Sequence, residues 1–275
     1  MLEECVERRR RAASCGFALS SPAVWLLLCL PVCWDEALAD GFNSDRPGFE
    51  VSSQLVPVGH VQLETGVGVQ NNVPPRGDNY WNVPVLLRYG AGENWEMRLE
   101  TDGLIVGQYD AQTGRSVTGY ADVTLGTKWL LHADSGGIIP AMALVTDATI
   151  GTGSPELRGG GVRPGMRLEL EWALPDDGTL GVMPGFVYDE NDLHRFARGM
   201  LGIAYSRLWT QQFGTFLEVA GEQFAHGVDG GNIITYGGGG TYLVGETVQF
   251  DFSVSRGADR NAAAWTYGAG VSIRF

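Results

Sequence analysis

The chain has 275 residues, 44% of them hydrophobic, with mean hydropathy near zero. Its net charge of −13 excludes a phosphate-binding, nucleic-acid surface, which needs clustered Lys and Arg, and Lys128 is the only lysine. No apolar run approaches the roughly 18 residues of a membrane helix, so any membrane crossing must use strands.

Residues 1–39 read as a secretory signal. Arg8–Arg11 form the basic region, Ala23–Cys33 the apolar region, and Ala37-Leu38-Ala39 the small-x-small cleavage site. All four cysteines lie in this leader, so the mature chain is expected to hold no disulfide, thiolate metal site or thiol nucleophile. Removing the leader's four Arg and five acidic residues leaves 15 basic against 27 acidic.

Residues 40–59 have no clear period, and Pro47 and Pro57 punctuate them. They read as a periplasmic arm or a segment tucked into a barrel mouth. Period-two alternation then starts and scarcely stops, as in strands whose two faces meet different solvents. Val61, Leu63, Thr65, Val67 and Val69 oppose Gln62 and Glu64. Trp81, Val83, Val85, Leu87 and Tyr89 oppose Arg88, and Trp95, Met97 and Leu99 oppose Glu96, Arg98 and Glu100. Val123, Leu125 and Trp129 oppose Asp122 and Lys128. Met166, Leu168, Leu170 and Trp172 oppose Arg167, Glu169 and Glu171. Thr215, Leu217 and Val219 oppose Glu218, and Phe250 and Phe252 oppose Asp251. The closing stretch Trp265–Phe275 sets Tyr267, Val271 and Ile273 against Ser272 and Arg274. The register of 138–150, 180–209 and 233–244 is not legible.

About 12 strands result, with long polar connections (70–79, 107–118, 150–163, 189–197, 224–232, 256–263) alternating with short ones. One long rim and one short rim, with an even strand count, predict an all-β fold. This is a closed, antiparallel up-and-down transmembrane β-barrel at residues 60–275, with both ends at the periplasm. The alternative is a soluble sandwich or propeller. Strands of about 9–12 residues, charges on one face only, and aromatics at strand ends favour the barrel. That girdle comprises Trp81, Tyr89, Trp95, Trp129, Trp172, Trp265 and Tyr267. Pro84, Pro140 and Pro184 oppose it unless they mark bulges or strand ends.

Ser44–Ser52, which contains Asp45-Arg46-Pro47, and the following Val56–Gly66 resemble the outer-membrane family named for a MetA pathway of phenol degradation. Leu87-Arg88-Tyr89-Gly90 with Trp95–Arg98, and Thr149–Gly153, are similar to later parts of that family. Gly48 departs from the acidic residue usual after Asp-Arg-Pro. The resemblance implies an outer-membrane barrel often labelled a transporter and associated with aromatic degradation; fold alone does not fix function.

For chemistry, His60, His132, His194 and His226 lie at strand starts or in loops, without a nucleophile–base set, so no enzyme is expected. No zinc spacing, phosphate loop or cofactor motif is present. Asp189–Asp192 is read as a solvated loop rather than a calcium site. What remains is the lumen, where Glu64, Arg88, Glu96, Arg98, Glu100, Asp122, Lys128, Arg167, Glu169, Glu171, Glu218, Asp251 and Arg274 should project inward. They would either pair into a filling network or line a path for a small solute, aromatic ones included. The expected partners are outer-membrane lipid, the barrel-assembly machinery recognising Phe275, and that solute. The alternative is a non-conducting barrel acting through its long loops.

Overall fold

The computed structural model describes residues 41–71, 79–110, 115–134, 137–190, 195–224, 232–259 and 261–275. The leader, His194, His226, Asn191, Asp192 and most of the 70–79 loop lie outside these residues. The strands are β1 (Val61–Asn71), β2 (Tyr80–Gly92), β3 (Trp95–Asp110), β4 (Arg115–Tyr120), β5 (Val123–His132), β6 (Ala141–Ile150) and β7 (Val162–Leu174). They continue with β8 (Gly178–Glu190), β9 (Arg195–Leu208), β10 (Phe213–Phe224), β11 (Ile233–Val244), β12 (Val248–Gly257) and β13 (Trp265–Arg274). Chain neighbours pair antiparallel, except β4 with β5, and β1 pairs with β13, which closes the sheet. β4 and β5 together pair along β3 and make one stave, so the barrel has 12.

The barrel is inside out relative to a soluble protein. Leu87, Leu99, Leu125, Ile203, Leu217 and Phe252 are exposed on the outer face, whereas Arg88, Glu96, Lys128 and Glu169 are fully buried within. A one-residue slip would exchange these sets, and a lipid-facing Arg near the midplane costs roughly 2–4 kcal/mol, so the surroundings fix the register. Trp81, Trp265 and Tyr267 sit outside near the long rim, and Tyr89 and Trp129 near the short one. Trp95 stacks on Trp129 at 5.4 Å, and the Trp172 indole donates to the Ile138 carbonyl. The tight turn between β7 and β8 places Asp176 and Asp177 both at positive φ, the geometry of a two-residue turn that follows strand twist.

Two expectations about connections change. The predicted loop at 107–118 is largely strand, because β3 runs 16 residues and β4 pairs with its outer half. Bulges, with Gly103 and Gly107 at positive φ, break the alternation that would have announced it. Likewise β8 and β9 extend to Glu190 and from Arg195 into the predicted 189–197 loop. Of the prolines, Pro140 precedes β6. Pro84 falls where β1–β2 pairing lapses between Thr65 and Gly68, and Pro184 where β7–β8 pairing lapses between Arg167 and Leu170. A residue without an N–H is placed where the ladder is already open.

Candidate functional site: a lumen occupied by the N-terminal arm

Residues 43–58 run inside the barrel. Asp45, Val51, Ser52, Ser53 and Val56 are buried there. The segment leaves at the short rim, where Gly59 at positive φ donates its N–H to the Gly90 carbonyl (2.8 Å) and turns the chain into β1. A side chain on Gly90 would overlap the Val56 and Pro57 carbonyls, so the arm needs that glycine to pass.

One wall, β1 to β5, is a closed ionic network. Arg88 on β2 and Arg98 on β3 are direct cross-strand partners, a like-charge placement that is unfavourable alone. The arm supplies what separates them. Asp45 lies 3.3 Å from Arg88 Nη1, accepts from Arg98, and takes Lys128 Nζ at 3.0 Å. Arg88 also donates twice to Glu96, through Nε and Nη2 at 2.9 Å each, and once to Glu64 at 3.1 Å. Burial alone would raise the Asp45 carboxyl, but Arg88, Lys128 and Arg98 outweigh it and hold the group well below the usual range. The arm's backbone is tied to the same set. Glu64 accepts from the Asp45 and Arg46 amides, Glu96 from the Val56 amide (2.8 Å), and the Ser52 carbonyl accepts from Lys128 (2.8 Å).

The other wall, β7 to β12, meets the arm with carboxylates and small residues. Glu218 accepts from the Phe49 and Glu50 amides (2.6 and 2.8 Å), Glu171 from the Ser53 amide (2.7 Å) and hydroxyl, and Asp251 from Arg46 Nε and Nη2 at 3.2 Å. Lumen-facing Gly66 and Gly270 leave the space that the Arg46 side chain fills, and Gly181 the space of the Glu50 carboxylate.

The remaining residues on the inner face have other partners. Arg167 pairs with Asp147 (2.8 Å) and lies 3.9 Å from Glu100, while Asp122 holds Arg163 and the Gly153 and Gly159 amides in the connection after β6. Arg274 lies over the Phe42 ring and donates to the Glu246 carbonyl. His60 and His132 each bond a backbone carbonyl, at Val58 and Pro140. Among the described residues no group of three or more His, Cys, Asp or Glu is placed to hold a metal ion. Sequence reasoning did not find Asp45 as the common counter-ion, or Glu50, Ser53 and Asp147 as lumen partners. The acid within Asp45-Arg46-Pro47 was a signal, but its partners follow only from the arm's position.

Two cavities lie along the lumen. One of about 1020 Å³ is lined by the arm, Glu171, Ser206, Arg207 and Glu218 and lies towards the short rim. One of about 630 Å³, lined by Glu100, Asp102, Asp122, Arg163 and Glu190, lies towards the long rim.

The barrel resembles solved outer-membrane structures. An outer membrane channel from Pseudomonas putida F1 aligns with a TM-score of 0.61 at 12% identity, over 83% of this chain and 99% of that one. The NanC porin aligns with a TM-score of 0.55 at 11% identity, over 78% and 98%. These likenesses establish the shared fold, and with the inverted polarity they place the protein in the outer membrane. No curated protein matches it in sequence. The family described as "Putative MetA-pathway of phenol degradation" matches residues 44–275, beginning one residue before Asp45, and the chain belongs to that family.

Proposed function

We propose that the protein is a passive channel for small solutes, aromatic ones included, and that residues 40–58 form its restriction. The observation that carries this reading is a polar arm that lines the cavity at the short rim and is hydrogen-bonded to the lumen rather than continuous with the sheet. The two resembling structures are named a channel and a porin, which supports the same reading. In this reading residues 1–39 direct export, residues 60–275 form the barrel, and Phe275 is the end recognised by the assembly machinery. The aromatic side chains near each rim sit at the lipid headgroups. Liposome swelling and single-channel current are the test. The full-length barrel should pass ions and small solutes slowly, and deletion of residues 40–58 should raise the flux. Absence of flux in both forms would sink it. The packed network around Arg88 favours one alternative, a barrel that does not conduct and acts through its long loops; it predicts that null result.

A further inference from the structure

One row of the sheet carries an acid at each end of a small-residue floor. Glu171, Gly181, Ala204 and Glu218 are successive cross-strand partners on the lumen face of β7, β8, β9 and β10. Three strand spacings, about 14 Å, separate the two acids at the backbone. The arm lays Glu50 over Gly181, between them. Two residues from Glu171, on the same face of β7, Glu169 is 0% exposed, and neither of its carboxylate oxygens has a hydrogen-bond partner in the protein. Oε1 of Glu50 is also buried without one.

The cations of the lumen make their hydrogen bonds elsewhere, and Lys128 and Arg167 reach Glu169 only through longer-range attraction. Arg88, Arg98 and Lys128 converge on Asp45, Arg46 holds Asp251, and Arg167 holds Asp147. Arg207 lines the same cavity at the short rim and lies over the Trp209 ring. A buried carboxylate without a partner is costly, and the protein relieves that cost either with a proton or with a cation. Burial, then Glu171, Glu169, Glu218 and Asp45, push Glu50 up to about 9.

We propose that Glu50, Glu169, Glu171 and Glu218 form a binding site for a monovalent cationic group, either a hydrated alkali ion or the protonated amine of a solute. Among the described residues no three acids are close enough to chelate a metal ion, so the attraction is electrostatic rather than coordinative. The site opens to the short rim through the 1020 Å³ cavity, to which Glu50, Glu171 and Glu218 contribute. It deepens the channel reading, because a cation held there biases what passes.

Two measurements on the full-length barrel test it. In planar bilayers under a potassium chloride gradient, the reversal potential should report a severalfold preference for potassium over chloride. Glu50→Gln combined with Glu169→Gln should bring that ratio close to unity, while Glu222→Gln, four residues along β10 from Glu218 and paired with Arg198 at 3.2 Å, should not. In detergent, calorimetric titration with n-butylammonium chloride should give saturable heat that the double variant lacks and that n-butanol does not reproduce. Heat-modifiable migration on gels verifies that each variant is a folded barrel. Potassium preference without butylammonium binding identifies the inorganic ion, and the two together identify a site open to amines. Equal permeability and no heat in the wild-type protein overturn the site and leave only water at these carboxylates. If no current flows, the channel reading fails while calorimetry still decides the site.

Discussion

The two walls of the lumen hold the same arm by different means. On β1 to β5, three buried cations converge on Asp45, and every partner is a charge fixed by strand register. On β7 to β12, carboxylates accept backbone N–H groups of the arm, Asp251 pairs with Arg46, and Gly181 makes room for Glu50. The first wall requires a particular residue at a particular place. Apart from the Arg46–Asp251 pair and the Ser53 hydroxyl, the second requires a backbone that runs past. Identity is therefore read mainly on one side and passage is allowed on the other, and the unpartnered Glu169 lies on the permissive side.

Substitutions that separate the walls should differ in size. Because residues 40–275 contain no cysteine, Ser52→Cys gives a single reporter whose labelling by a membrane-impermeant maleimide measures arm release. Asp45→Ala should have the largest effect, since it leaves Arg88, Arg98 and Lys128 facing one another. Breaking such a buried set costs roughly 3–5 kcal/mol, so the arm should be released and labelling should approach that of unfolded protein. If labelling stays slow, the ionic wall does not hold the arm. Gly90→Val should come next, because its side chain would overlap the Val56 and Pro57 carbonyls; overpacking of this kind costs about 1–3 kcal/mol. It should expose the end of the arm near Val56 while the Asp45 contacts persist, which Val56→Cys, at a position 2% exposed in the docked arm, would report.

Between about pH 5 and 9 a change of pH acts on the permissive wall, since Asp45 titrates only well below that range. The ordinary value for Glu50 is 4.5 and the docked arm, with no cation in the site, raises it to about 9, so in the absence of that cation the docked form binds a proton that the released form has lost. Docking is thus favoured at acid pH and weakens as pH rises through that window. Labelling should accelerate from about pH 5 to 9, and Glu50→Gln should flatten the profile; a flat wild-type profile would refute the assignment. The smallest effect is expected from Ser53→Ala, which removes the hydroxyl bond to Glu171 but keeps the amide bond, about 1 kcal/mol and a severalfold change in labelling.

The barrel was legible because its outer face must be apolar and its inner face need not be, so alternation along residues such as Met166–Trp172 carries both strand and register. Legibility failed at residues 101–120, where Gly103, Gly107 and the accompanying bulges shift the period. It failed more completely for the site. The arm has no period because it makes no ladder, and nothing local tells that Asp45 meets residues 43, 53 and 83 positions further along. The inward charges were nameable from their faces, yet which were paired and which were not depended on the arm. The glycines at 66, 90, 181 and 270 look alike in the sequence, and only the segment lying across them distinguishes their role.

Gly59 and His60 join the arm directly to β1 at the point where Val61 and Phe275 exchange backbone bonds across the barrel seam. In the proposed channel the arm is therefore a blocker on a very short tether. Once released it remains within a few residues' reach of the mouth, where its effective concentration is on the order of millimolar or more whatever the abundance of the protein. Reclosure is then a first-order event with no partner to recruit. An agent that opens the barrel must keep occupying the lumen, or keep the arm out of it, for as long as the barrel is to stay open.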